Sequence, residues 1–283
     1  MGDIVVADSV EGIRRFVAEA RGRNKRIGFV PTMGYLHEGH LSLVKRAAEE
    51  SDIVIASIFV NPTQFNNPDD LKKYPRDIPR DLKLLASVGT TAVFLPTPEM
   101  IYGPHFQSWV NLQELPLPFE GAHRPGHFQG VSTIVSILFN LVEADCAVFG
   151  EKDFQQLRII ERMVEDLKFR VKILRGELIR DPDGLAMSSR NVRLSPESRG
   201  VALGISRGLR AAAECFAAGE RRAGVLRDRM ARELAGPAVE IDYIAVADEE
   251  TLREVETITA RARLLVAATI GGVRLIDNTA LHP

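Results

Sequence analysis

The chain has 283 residues, 45% hydrophobic and 26% charged, a globular composition that excludes a disordered or fibrous polypeptide. Its 36 basic and 38 acidic residues leave a formal net charge of -2, so there is no overall basic field for nucleic acid and any phosphate must be held by a few placed groups. The two cysteines, Cys146 and Cys215, are too few for a disulfide framework or a four-thiolate zinc site, and Cys146 reads as a small core residue in an apolar run. No basic-then-apolar leader opens the sequence and no apolar run reaches the ~18 residues of a membrane span, so a cytoplasmic location without membrane contact is expected.

In chain order, Ile27-Gly28-Phe29-Val30 reads as a buried strand, followed by a loop and a predicted helix over 39–50. DIVIASIF at 52–59 is the next strand, and a polar loop rich in Asn and Pro follows it. A helix is expected over 77–88, a strand over 92–95, a mostly buried helix over 128–142 and a fourth inner strand over 146–149. Phe154, Leu157, Ile160, Val164 and Leu167 recur at helical spacing, and a strand over 171–174 closes this part. Apolar runs alternating with helices predict a doubly wound, Rossmann-like parallel sheet, an α/β domain over residues 1–177.

The texture changes near Glu177. Asp181-Pro182-Asp183-Gly184 is a turn signal, and Ser195 and Pro196 supply a cap and a first-turn proline for a long alanine-rich helix reaching about 218. A second helix over 223–234 and two strands, 239–246 and 264–270, complete a smaller α+β domain over 178–283.

The segment from Val30 through Pro31, Thr32, Met33, Gly34, Tyr35, Leu36, His37, Glu38 and Gly39 to His40 follows a predicted strand and leads into a predicted helix. A helix N-terminus in that context offers unpaired N–H groups and a positive dipole end to a phosphate. His37 and His40 are three apart around Gly39, so both imidazoles can face one ligand, and the glycine lets a phosphate approach the backbone. Near neutral pH two imidazoles can donate to phosphoryl oxygens or protonate them. The bland alternative is a pair of surface histidines beside a helix cap; the preceding strand and PTMG loop favour function. Zinc is disfavoured, because His37 and His40 with only Glu38 between them lack a third ligand.

Two further segments fit a phosphate chemistry. FGEKDFQQ at 149–156 lies just past a strand's C-terminal end, where open α/β sheets bind ligands, and Lys152 can neutralise charge on a transferring phosphate. Asp153 by itself reads better as the cap of the next helix. Met187-Ser188-Ser189-Arg190 sets two hydroxyls and a guanidinium after a turn, suited to a polyphosphate or, on equal terms, to an ordinary solvated loop.

An HxGH element followed much later by a Met-Ser-Ser-Arg loop resembles the nucleotidyl-transferase superfamily. The strings FVPTMGYLHEGH (29–40), IFVNPTQF (58–65), YPRD (74–77), RPGHFQGV (124–131), FGEKDFQQL (149–157) and DGLAMSSRN (183–191) resemble the pantothenate synthetase family in particular, in that family's order. Beyond about residue 200 only the length and RLIDN at 274–278 match. The resemblance implies an ATP-dependent ligase that joins pantoate to β-alanine through a pantoyl adenylate, with Mg²⁺ as cofactor, working as a homodimer on small molecules and not on nucleic acid.

By the same resemblance, Met33, Gly34, Tyr35, Leu36, His37, Glu38, Gly39 and His40 would hold ATP, with His40 the proton donor. Gly150, Glu151, Lys152 and Asp153 would form a second ATP segment, Met187, Ser188, Ser189 and Arg190 would close on the phosphates, and Ile179 would hold adenine through its backbone. Gln64 and Gln156 match two glutamines that bind pantoate, Gln64 also lying near β-alanine; neutral amides suit a carboxylate and hydroxyls without repelling an amine. On spacing alone these two would be a loop polar and a helix-start polar. Asn61 and Asp81 are further candidates there, Asp81 also for the metal, although Mg²⁺ is expected mainly on phosphate oxygens. Positioning and charge stabilisation by His37, His40, Lys152, Ser188, Ser189 and Arg190 are expected to drive the first step. The PTQFNNP loop or the C-terminal domain is expected to close as a lid over a hydrolysable adenylate. Tyr35, His123 and Ile179 depart from the family's usual residues and leave loop packing as a question. Competing readings are another adenylyltransferase, which gives the two glutamines no reason, an aminoacyl-tRNA synthetase, and a non-catalytic ATP-binding regulator, which intact His40 and Lys152 oppose.

Overall fold

Strands covered by helices on both faces need apolar residues at nearly every position, and the first two-thirds of the chain supplies such runs. The computed structural model describes residues 4–234, 236 and 238–283. In chain order its first strands and helices are β1 (Val5–Ala7), α1 (Val10–Gly22), β2 (Ile27–Thr32), α2 (Glu38–Ala48), β3 (Ile53–Ile58), α3 (Pro68–Lys73), α4 (Ile78–Ser87) and β4 (Ala92–Phe94). They continue with α5 (Pro98–Ile101), α6 (Glu120–His123), α7 (His127–Val142), β5 (Cys146–Gly150), α8 (Phe154–Asp166) and β6 (Lys172–Gly176). The six strands form one parallel sheet in the order β1-β4-β3-β2-β5-β6. From β2 the chain winds outward through β3 and β4, then returns to place β5 on the other side of β2. That reversal makes β2/β5 the topological switch point, whose crevice at the strands' C-terminal ends is where such sheets take ligands.

The core on one side of this sheet packs Leu36, Leu43, Val44 and Ala47 against Val30, Ala56, Val93, Val148 and Leu174. Burying the Leu41-Leu43-Val44-Ala47 stripe seats α2 with its N-terminus just past β2. The expected elements between 27 and 174 are present within a few residues. Leu167, the last position of the apolar series, lies beyond the end of α8 and is exposed. The sequence reading did not include β1 and α1.

The rest of the chain adds α9 (Pro196–Ala217), α10 (Ala223–Glu233) and an antiparallel sheet of β7 (Val239–Asp248), β8 (Ala262–Ile270) and β9 (Val273–Leu281) in that order. Ser195 caps α9 by accepting the Ser198 N–H at 3.1 Å. Ile205, Leu209, Leu226 and Met230 from the two helices pack with Leu264, Val266 and Leu275 from the sheet. Strand β9 is absent from the sequence reading, which stopped at the Gly271-Gly272 turn.

The chain separates into two units: Met1–Gln113, Arg124–Glu151 and Gln156–Glu177 in the first, and Glu114–His123, Lys152–Gln155 and Leu178–Pro283 in the second. Two segments upstream of 177 therefore cluster with the second unit rather than with the Rossmann-like sheet, and the bonds explain why. Glu120 takes paired donors from Arg274, and the Gln155 amide bonds the backbone of Leu115, Pro118 and Glu120. Among the described residues no helix is long and apolar enough to cross a membrane.

Candidate active site

In the first unit, the loop after β2 turns on Gly34 and Tyr35, both in the left-handed region with φ of 83° and 50°. At Gly34 a Cβ would also stand 2.8 Å from Ile58 Cγ2, so this position requires glycine. Thr32 Oγ1 accepts the Gly34 N–H and donates to the Ser57 carbonyl. The next two amides, Tyr35 and Leu36, donate to the two carboxylate oxygens of Asp81 at 2.6 and 2.8 Å. Asp81 lies in the first turn of α4, a helix that Asp77 of the YPRD string caps by accepting the Arg80 N–H.

Asp81 has a structural part that the sequence reading did not give it. Its side chain has no exposed surface and each of its oxygens accepts a loop amide, so it shapes the loop. Burial pushes its carboxyl above the usual range, against the two amides and Arg80, which favour the charge. Tyr35, the unexpected large residue here, packs its ring under the Arg80 guanidinium at 5.1 Å.

His37 caps α2, and its ring lies 4.1 Å from that of His40, centroid to centroid. His40 Nδ1 accepts the His37 backbone N–H at 3.3 Å. An accepting Nδ1 puts the proton of the neutral ring on Nε2, which makes that atom a donor. Glu38 turns the other way and pairs with Lys45 at 2.6 Å. Gly150 ends β5 beside β2 at the same sheet edge, with Glu151 next in the chain.

Gln64 is buried against this loop, its Nε2 donating to the Met33 sulfur at 3.0 Å and its Oε1 accepting from Asn61 Nδ2 at 3.1 Å. Asn61 is the hub: Nδ2 also donates to the Gly130 carbonyl, and Oδ1 accepts from Thr63 and from the Tyr102 hydroxyl at 2.8 Å. The Gln64 carbonyl takes Arg124 Nη2 at 3.2 Å and bonds His127 Nδ1 at 2.8 Å. A Cβ on Gly130 would stand 2.7 Å from the Thr63 carbonyl oxygen, so glycine inside α7 permits this close approach. Arg124, His127 and Gly130 belong to the RPGHFQGV string, which the sequence reading matched without giving it a role. Nothing in the sequence signals Tyr102. Gln156 is half-buried, and among the described residues its amide has no hydrogen-bond partner.

In the second unit, Lys152 and Asp153 sit in the short turn before α8, Lys152 Nζ 4.0 Å from its neighbour's carboxylate. The Asp181–Gly184 turn lies at the tip of a small hairpin in which the Ile179 carbonyl accepts the Met187 N–H at 3.0 Å. Arg199 clamps Asp181 and Asp183 at 2.8 Å each, and this bond holds the Asp183 carboxyl below its usual range. Ser188 Oγ accepts the Arg190 N–H, Ser189 is buried, and Asn191 bonds back to the Ala186 carbonyl. The hairpin thus presents 187–190 as a shaped segment. Among the described residues no group of three or more His, Cys, Asp or Glu is placed to hold a metal ion.

The family model described as Pantoate-beta-alanine ligase matches residues 5–280. A pantothenate synthetase of Thermotoga petrophila is 48% identical over 277 residues, 98% of this chain and 99% of that protein. Pantothenate synthetase 1 of Bradyrhizobium diazoefficiens is 49% identical over 277 residues, 98% of each. The crystal structure of pantothenate synthetase from Thermus thermophilus superposes with a TM-score of 0.94 at 42% identity, covering 99% of this chain and 100% of that one. The pantoate-beta-alanine ligase of Francisella tularensis, solved with beta-gamma ATP and beta-alanine, superposes with a TM-score of 0.81 at 33% identity, covering 98% and 97%.

Proposed function

The chain belongs to the pantoate–β-alanine ligase family, an ATP-dependent ligase making pantothenate, and from that premise we propose a two-step course carried by the residues described above. Pantoate's carboxylate oxygen attacks the α-phosphorus of ATP, forming a P–O bond as the bond to pyrophosphate breaks. The amine of β-alanine then attacks the acyl carbon of the pantoyl adenylate, expels AMP and loses a proton.

In the first step the amides at the start of α2 and the Nε2–H of His40 face developing phosphate charge, with His37 beside them. Met33 to His40, Gly150 and Glu151 line ATP in the first unit. From the second unit, Lys152, Ser188, Ser189 and Arg190 contribute charge and donors, Asp153 flanks Lys152, and Ile179 meets adenine through its N–H because its carbonyl is engaged. Gln156 and Gln64 bind pantoate, and Gln64 meets β-alanine. Gln64 suits that place because its contact with the Met33 sulfur puts it beside the ATP loop. Mg²⁺ enters bound to ATP, since phosphate oxygens are its hard ligands and among the described residues no group of three or more His, Cys, Asp or Glu is placed to hold a metal ion. The enzyme works in the cytoplasm as a homodimer.

The observation that supports this reading is the pair of His37 and His40 rings, 4.1 Å apart at the start of the switch-point helix, with His40 Nδ1 accepting the His37 amide. With pantoate and Mg·ATP but no β-alanine, the enzyme is expected to exchange labelled pyrophosphate into ATP. Exchange that needs β-alanine, despite net synthesis in its presence, would remove the free-standing adenylate step.

A further inference from the structure

We propose that Asn278 is a positioning residue for Lys152, holding its turn through the backbone carbonyl; this rests on the reading of Lys152 as a phosphate-charge partner. Successive residues of a strand face opposite sides of the sheet, and β9 uses both sides of one dipeptide. Asp277 lies opposite Val266 on the face that carries the helix-packed core, and Asn278 lies opposite Leu265 on the other. Both side chains are buried.

On its face, Asn278 Nδ2 donates to the Lys152 carbonyl at 3.0 Å, while its Oδ1 accepts Arg263 Nη1 at 2.8 Å. Arg263, also buried, gives Nε and Nη2 to one oxygen of Glu249 at 2.9 and 2.8 Å and lies 3.9 Å over the Phe154 ring. Glu249 is further held by Arg261 at 3.2 Å and by His282 at 3.0 Å. The Lys152 carbonyl is thus the end of a chain of hydrogen bonds whose buried members polarise one another and fix each other's orientation. Buried ion pairs add little net stability over apolar packing, so stability alone does not account for this one. Fixing a lysine's backbone two residues before a helix is work that apolar packing, which is non-directional, does poorly.

Asp277 provides the contrast. It grips Arg180 with both oxygens at 2.6 and 3.0 Å, and Arg180 in turn bonds the Gly184 carbonyl at the hairpin tip. It therefore steadies the segment leading to 187–190, but it is not separate from the Lys152 turn: the Lys152 charge acts on it, and its Oδ1 accepts the Asn278 N–H at 2.7 Å.

The test is a pair of double-mutant cycles read by pantoate-dependent pyrophosphate exchange at saturating ATP and pantoate, with thermal melts alongside. Asn278→Ala is expected to slow exchange roughly tenfold in the otherwise unchanged enzyme, with the ATP KM moving less than about twofold, as for a small misplacement of a charge partner. In the Lys152→Ala background the same change should slow exchange by less than about twofold, because the group it positions is gone. Arg199→Ala, which loosens the hairpin through Asp181 and Asp183 and does not touch the Lys152 turn, should lower exchange by the same factor in both backgrounds. Where Asn278→Ala does not fold, Asn278→Asp is the second variant: it keeps the acceptor for Arg263, loses the donor to Lys152 and turns a carboxylate oxygen toward that carbonyl, so its effect on exchange should again be larger with Lys152 present than in Lys152→Ala. An equal effect of the Asn278 change in both backgrounds, or no effect in either, overturns the proposal. An unchanged rate in Lys152→Ala alone overturns the Lys152 role itself and this proposal with it.

Discussion

For His40 the proposed course assigns a structural and a chemical duty to two different atoms. Nδ1 receives the His37 amide, one of the orphan donors at the start of α2, and the donor role toward phosphate is proposed for Nε2–H. The two duties can be separated. Asparagine's amide oxygen can stand in for Nδ1 but has nothing at the place of Nε2–H. His40→Asn is therefore expected to melt within about 1 kcal/mol of the parent, because the cap is kept. Its pyrophosphate exchange should fall by about 10²–10³-fold through loss of one donor to developing charge. A similar fall in both properties, measured by melts and exchange on one preparation, would make His40 a cap and no more. That the histidines stand where a strand's loop meets a helix was legible, because the apolar strand, the PTMG loop and the helical pattern follow one another in sequence. The bonds of Asp81 to the loop were not legible, although the residue itself was a candidate for the pantoate site and the metal. Its burial depends on amides some forty-five positions earlier, Tyr35 and Leu36, and no local pattern encodes that meeting.

At the scale of elements, the ligand edge of the sheet is complemented by a clip at its opposite edge. Asp145, just before β5, takes the Ile27 amide at 2.6 Å and Arg21 Nη1 at 2.7 Å, joining the start of β2 to α1. Its own N–H and carbonyl bond the Ile27 carbonyl and the Lys172 amide, so β2, β5 and β6 start in register. Partial burial raises its carboxyl, but the Arg21 and Ile27 bonds outweigh this and leave the net shift downward. A depressed folded-state value means the stabilisation is complete above the unfolded carboxyl's titration, near pH 4, and is lost as pH falls through the lower folded value. Denaturant unfolding at about pH 7 and about pH 3 should therefore show Asp145→Asn losing less stability on acidification than the parent. Equal losses would mean that the clip contributes no acid sensitivity. The inner strands were legible because continuous apolar runs leave little choice. β9 was not, because Arg274, Asp277 and Asn278 break its apolar alternation, and their partners, among them Glu120, Arg180 and Arg263, lie far away in sequence. β1, three residues with two of them exposed, gives too short a run to read.

For the whole molecule, the chain passes repeatedly between its two units, and the change is sharp at the most informative string, where Glu151 belongs to one and Lys152 to the other. A string such as FGEKDFQQL reads as one motif, but its residues answer to different surroundings: Gly150 to the parallel sheet, Lys152 to Asn278, Gln155 to the 115–120 segment. Sequence identified the family at this scale because its strings recur in order along the chain; it did not show the buried bonds that hold those strings, which use ordinary polar residues with no spacing rule. The proposed course turns on one bond, between pantoate's carboxylate oxygen and the α-phosphorus of ATP. Pantoate labelled with 18O in both carboxylate oxygens tests it directly. Mass analysis after complete synthesis should find one label in the phosphate of AMP, one in the amide carbonyl of pantothenate and none in pyrophosphate. AMP free of label, or label in pyrophosphate or inorganic phosphate, would contradict the adenylate route and with it the roles given to His40 and Lys152.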